Sequence, residues 1–372
     1  MKTKLTEMFD IELPIFAFSH CRDVVVEVSK AGGFGVLGCA YLSPEQLKQE
    51  LIWIDDHIDG KPYGIDLLMP GKYTKLEVPR LTIDDLPAEQ MDYLRQWCDD
   101  AGVPRLPDDL RDELIQAELD KMQFTPDQAQ GLLDVALEHP IKAVVNALGA
   151  PDKEMVDDLH ARGIKVGALI GKVEHTKRQL AAGVDMIIAA GYEAGGHSGQ
   201  IASMILWPQI VDAVAPVPVL AAGGIGRGKQ MAAAMALGVE GIWCGSIWLP
   251  TVESEVMPEI KERFFAAKAD DAIQTRARSG KPVRMLRSRL TDAWEQDDAP
   301  PFLNIPFQTG VMVESRLRVE RAKVKDFLTY PVGQIVGDMT GETTVRQVIY
   351  ELLDEFADAV ERLNVMTGAD DT

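Results

Sequence analysis

Eight times between residues 13 and 245 the chain passes from a short apolar run into a longer amphipathic stretch. The runs are 13–18, 34–38, 63–68, 141–146, 164–170, 185–190, 217–222 and 241–245, rich in Val, Ile, Leu and Ala without polar alternation. Strands covered on both faces read this way. The stretches between them place apolar residues at helical spacing over 21–31, 151–162, 208–215 and 229–237, with another helix ending at Ala182. Ser43 followed by Pro44 marks one helix start, and Thr125-Pro126 another. Parallel neighbours need crossovers of this length. Eight such units predict a closed α/β barrel of the (β/α)8 kind, with an open doubly wound sheet as the runner-up.

Two segments depart from the rhythm. Residues 71–125, after the third run, are dense in Asp, Glu, Arg and Pro, and read as a helical insertion. A stretch this long is a lid, an interaction element or a solvated decoration. Residues 251–372 follow the last run and read as a C-terminal helical extension packed on a barrel of residues 1–250. Its helices are expected near 252–268 and 343–363, joined by a Pro- and Arg-rich connection.

Composition narrows the function classes. A chain of 372 residues suits one barrel with insertions. A net charge of −20 without a basic cluster argues against a nucleic-acid partner. No apolar run approaches about 18 residues, and MKTKLTEMFD lacks an apolar signal core, so a cytoplasmic protein with no membrane partner is expected. Cys21, Cys39, Cys98 and Cys244 form no CxxC pair, so no metal site is expected and the thiols should be reduced.

In a barrel, chemistry sits on the loops after the strands. The sixth is followed by Gly191-Tyr-Glu-Ala-Gly-Gly-His-Ser-Gly199. Its glycines allow close backbone approach to a ligand, and His197 is the side chain suited to moving protons near neutral pH. Loops after the seventh and eighth runs, Ala221-Ala-Gly-Gly-Ile-Gly-Arg-Gly228 and Cys244-Gly245-Ser246, hold the usual phosphate-site position.

The run GYEAGGHSG, with VPVLAAGGIGRGKQMAAAMALGVEGIWCGS, resembles the nitronate monooxygenase family. VSKAGGFGVLG, SGKPVRMLRSRLTDAWE and PVGQIVG fit the same family, and the resemblance spans the chain outside the insertion. It implies an FMN-containing barrel oxidising alkyl nitronates with O2. Gly223, Gly224, Gly245 and Ser246 would cradle the FMN phosphate. Ala17, Phe18, Ser19, Asp66, Gly195 and Gly196 would complete the cofactor site. His197 would match the family's catalytic histidine, taking a proton from a nitroalkane or hydrogen-bonding a nitronate. His20 and Glu193 are candidate substrate residues, with Glu193 better suited to shaping its loop.

Three positions at the ring end depart from the family. Phe18-Ser19-His20-Cys21 stands where a Pro-Met pair is usual, Asp66 where Asn is common, and Ala190 where Gln often sits. These changes keep open an alternative: an NAD(P)H-dependent flavin oxidoreductase acting on a CoA thioester or quinone. Lys281, Arg284, Arg287 and Arg289 would then meet phosphates, against the simpler reading that they salt-bridge to an acidic surface. A binding-only barrel is the third class. The partner expected is a small molecule, with O2 or NAD(P)H; barrels of this kind often pair, so a homodimer is also expected.

Overall fold

The computed structural model describes residues 1–69, 80–122 and 126–368. Part of the expected insertion, and Thr125 of the expected helix start, lie outside the described residues.

The eight apolar runs are the strands of one closed parallel barrel. They are β1 (Ile15–Ser19), β2 (Phe34–Gly38), β3 (Tyr63–Leu67), β4 (Ala143–Asn146), β5 (Lys165–Ile170), β6 (Met186–Ala190), β7 (Val219–Ala222) and β8 (Gly241–Cys244). Each pairs with the next, and β8 closes on β1 from Ile15↔Ile242 to Ala17↔Cys244. Alternate side chains point inward. Phe16, Phe34, Val36, Val145, Met186, Ile188, Leu220 and Trp243 fill the interior, while Ile15, Val25, Ile65 and Ile242 belong to the layer between strands and helices. The barrel is therefore a packed core, and a ligand has room only at its C-terminal mouth.

The opposite end is closed by a helix the sequence reading does not contain. Lys4–Phe9 starts at a Thr3–Thr6 capping box and sets Leu5 and Phe9 beneath the interior. The Phe9 ring lies 4.5 Å from Phe34 and 5.6 Å from Phe16. One helix boundary also moves. The helix expected at 208–215 spans Ser203–Val214, with Pro208 inside it. Pro normally marks a first turn, but here the Glu193 carboxylate accepts from the Ser203 N–H and fixes an earlier start.

Beyond the barrel, the Pro- and Arg-rich connection holds a hairpin, β9 (Ala272–Thr275) against β10 (Val283–Leu286), and a 16-residue helix, Phe307–Ala322. That helix hides from a periodicity reading because it buries Gln308, Glu314, Ser315 and Arg318 beside its apolar residues. The described part of the insertion forms helices Ala88–Asp100 and Arg111–Asp120, which pack on it. Leu94, Ile115, Leu119, Trp294, Val311 and Val313 make a core separate from the barrel's two. Buried Arg318 reaches Asp99 at 2.6 Å and the Val103 carbonyl at 2.6 Å. The last helix, Val345–Thr367, lies against helices Gly228–Ala236 and Arg22–Lys30. Among the described residues no helix is long and apolar enough to cross a membrane. The four cysteines are free and buried.

Candidate active site

The mouth is built by the ends of β1, β3, β6, β7 and β8 together with the β9–β10 hairpin. The hairpin is tied to the loop after β6 by a two-way bridge: Gly196 N–H donates to the Arg284 carbonyl at 3.0 Å, and Arg284 N–H to the Gly196 carbonyl at 2.7 Å. The Arg284 side chain is 2% exposed. Its Nε donates to the Tyr192 carbonyl at 3.1 Å, Nη1 to the Ala272 carbonyl, and its plane lies 4.3 Å from the Tyr192 ring. Arg284 is thus a strut within the mouth. Arg287 pairs with Asp292 and Arg289 lies over Phe327, so of the four cations singled out in sequence Lys281 alone is exposed without a side-chain partner among the described residues.

The bridge sets His197 beside the hairpin tip. Its Nε2 lies 2.8 Å from the hydroxyl of buried Ser279, which donates to Nε2 when the ring proton is on Nδ1. His197 remains exposed to solvent over part of its surface. Desolvation by the surrounding loop, then the charges of Arg278 and Lys281, lower its pKa. A neutral imidazole near pH 7 can accept a proton or a hydrogen bond. Ser279 escaped the sequence reading because nothing local marks a serine in a hairpin tip as a histidine's partner.

At β1, Phe18 stacks on Trp243 at 6.2 Å and meets His20 edge-on at 5.1 Å. His20 Nδ1 lies 2.9 Å from the Gly38 carbonyl, and desolvation lowers its pKa. The Ser19 hydroxyl accepts from the Cys21 N–H at 3.0 Å and so shapes the turn into the next helix. The Ala17 side chain lies in the layer outside the barrel, leaving only its backbone on the strand. Asp66 alternates with outward-facing Ile65 and Leu67, so its carboxyl points into the barrel. Burial pushes its pKa up to about 8.

The glycine loops converge one strand further round. Gly223 and Gly224 have φ of +94° and +73°. A Cβ on Gly223 would lie 3.1 Å from the Ala194 nitrogen, between the two loops. Among the described residues, the N–H groups of Gly224 and Ser246 meet no acceptor. Gly245 faces Phe18, at 3.7 Å from a built Cβ. Ser246 Oγ accepts from the Gly333 N–H at 2.9 Å, and a Cβ on Gly195 would lie 2.7 Å from the Gly333 nitrogen. The 331–337 motif thus braces both loops. The Glu193 carboxylate accepts from Ser203 Oγ at 2.7 Å and Ser203 N–H at 3.0 Å, which commits it to the helix start. A cavity of about 470 Å³ opens beside Gly223 and Gly224, lined among others by Glu193, Ser203, Lys268 and Gln334. Free donors on glycine-rich backbone at two adjacent strand ends suit a phosphate.

Comparison with known proteins gives a consistent result. The model of the nitronate monooxygenase family matches residues 2–355. A Mycobacterium tuberculosis protein assigned as a monooxygenase is 44% identical over 98% of both chains. A Staphylococcus saprophyticus protein assigned as a nitronate monooxygenase is 30% identical, covering 87% of this chain and 88% of its own. Among solved structures, nitroalkane oxidase from Streptomyces ansochromogenes superposes with a TM-score of 0.76 at 26% identity, over 96% of this chain and 99% of its own. FabK from Thermotoga maritima gives 0.74 at 26% identity, over 98% and 99%. With a closed barrel, a histidine on the sixth loop and paired glycine loops, the chain belongs to the nitronate monooxygenase family of flavin-dependent oxidoreductases.

Proposed function

We propose that this flavoenzyme holds FMN and oxidises alkyl nitronates with O2. The observation that carries the reading is His197, neutral near pH 7 and held at 2.8 Å by Ser279, on the same mouth as the free N–H groups of Gly224 and Ser246. The residues present fit FMN: the two donors and positive-φ glycines suit a dianionic phosphate, and Phe18 with Gly245 offers a flat apolar wall. When bound, FMN supplies the electron acceptor. Gly223, Gly224, Gly245 and Ser246 would hold its phosphate. Gly195, Gly196, Phe18, Ser19 and Asp66 would surround the remainder, Ala17 contributing backbone alone.

The chain's own part is positional and electrostatic. His197 accepts a proton from a carbon acid, or hydrogen-bonds an anionic nitronate once protonated. Ser279 fixes the ring orientation. His20 is a second titratable ring at the mouth, while Glu193 shapes the loop.

Anaerobic stopped-flow absorbance on the yellow holoprotein tests the reading. Bleaching of the flavin band by an alkyl nitronate, followed by oxygen uptake in air, is expected. Bleaching by NADH or NADPH and not by nitronate would overturn it in favour of the reductase of CoA thioesters or quinones.

A further inference from the structure

In the closed ring of strands β2 lies diametrically across from β6, so its end faces the His197 loop over the mouth. Val36 fills the interior and Leu37 faces the helices, so Gly38 is inward-facing in its turn. A Cβ on Gly38 would lie 2.7 Å from His20 Nδ1 and 2.8 Å from Phe18 Cζ. The His20 ring therefore lies over the inner side of the β2 end, in space that only a glycine leaves open. Phe18 meets the ring edge-on at 5.1 Å, and the Tyr41 ring lies 6.1 Å away.

The backbone also fixes which ring nitrogen is free. Nδ1 lies 2.9 Å from the Gly38 carbonyl, which can only accept. In the neutral ring the proton is then on Nδ1, and Nε2 keeps its lone pair. Nε2 meets no donor among the described residues, and His20 is exposed. One strand further round, Asp66 is the register partner of Gly38. Its inward carboxyl is 95% buried and meets no donor or cation among the described residues. Burial raises its pKa to about 8, so near pH 7 the acid can donate as well as accept. Adjacent strands stand about 5 Å apart, so the free acceptor and the free acid share one side of the mouth. Buried polar groups normally find a partner, and these two have none within the chain.

We infer that His20 Nε2 and the Asp66 carboxyl form a subsite for a hydroxyl group on the substrate, the hydroxyl donating to the ring and accepting from the acid. The inference rests on the nitronate reading above for the group that reacts at His197, and on the ends of β1 to β3 for its own residues. A hydroxyl is a small group that answers a fixed acceptor and an acid O–H together. An anionic group would face the His20 lone pair, and a methyl would leave both groups unpaired.

The test compares the holoenzyme's oxygen uptake with the nitronates of 3-nitropropan-1-ol and 1-nitrobutane, equal in length and differing in a terminal hydroxyl or methyl. Wild type is expected to favour the hydroxylated nitronate about 10-fold in kcat/KM, the worth of one or two net hydrogen bonds. His20→Phe keeps a ring over Gly38 and removes the acceptor, so the ratio should fall to near one, whatever the variant does to the rate on either compound. Asp66→Leu should lower the ratio likewise. Asp66→Asn, which retains a donor and an acceptor, should keep most of it. A wild-type ratio near one, or a ratio that survives His20→Phe, sinks the subsite.

Calorimetric titration of the holoenzyme with 4-hydroxybutyrate and pentanoate, whose inert carboxylate stands for the nitronate, reads the subsite without turnover. Tighter binding of 4-hydroxybutyrate that His20→Phe abolishes supports it even if wild type oxidises neither nitronate, an outcome that removes only the proposed activity. Equal binding of the two acids refutes the subsite. Loss of flavin from His20→Phe, with no wild-type preference between the acids, assigns the ring to the cofactor and refutes it too. A melting curve matching wild type shows that His20→Phe is folded.

Discussion

His197 is held by one hydroxyl and overlooked by two cations, and each contact has a measurable consequence. His197→Ala should lower kcat by about 10²- to 10⁴-fold, the range for removing a positioned proton acceptor, with flavin content unchanged. A variant that loses flavin would place the residue in cofactor retention instead. Desolvation, Arg278 and Lys281 lower its pKa, so the acid limb of the kcat/KM profile should fall below pH 6.5. Ser279→Ala should shift that limb and lower kcat more than it changes KM, whereas a purely structural serine would move only the melting temperature. Asp66 gives a stability prediction. Its pKa rises from 3.8 to about 8 on burial. Between those values the folded chain keeps a proton that the unfolded chain has released, so stability falls as pH rises across the window. Asp66→Asn should leave stability unchanged near pH 4 and raise it near pH 8, by at most a few kcal/mol, in urea titrations at both pH values. Among these residues His197 was legible in sequence, because a histidine among glycines at a strand end is conspicuous. Ser279 was not, because it reaches the site through a hairpin far along the chain.

Elements differ in how openly they declare themselves. Strands β1 to β8 showed as apolar runs because both faces are covered. Helix Phe307–Ala322 did not, because it buries polar side chains on the face turned to the insertion. Helix Lys4–Phe9 did not, because six residues carry too little pattern, yet its Phe9 seals the barrel floor. Phe9→Ala should destabilise by about 3–5 kcal/mol, the usual loss for a buried aromatic ring, read from the denaturant midpoint. At the cradle, Gly223→Ala meets both a positive φ and a neighbouring nitrogen at 3.1 Å. It should weaken flavin retention on dialysis with a small change in the fold's own stability, on the order of 1–2 kcal/mol. Flavin retained as tightly as in wild type would remove Gly223 from the proposed phosphate site.

At the scale of the whole molecule, the insertion and the C-terminal part meet in a core of their own, apart from the barrel. Helices 88–100 and 111–120 should therefore open in hydrogen exchange at a lower free energy than β1 to β8. Exchange at the barrel's rate would show that the cores unfold together. This satellite also supports the hairpin tip, through Gln308 and Ala277, and so reaches the site indirectly. The sequence by itself determined the barrel, the order of its strands and the loops that bear glycine and histidine. Local composition reports whether a segment is covered on one face or two, and consecutive parallel units close in only a few ways. Tertiary structure alone decided that the described part of the insertion packs on residues 307–322, that Arg284 is a buried strut, and that Ser279 meets His197. Those are contacts between positions far apart in the chain, and no periodicity within either segment encodes its partner.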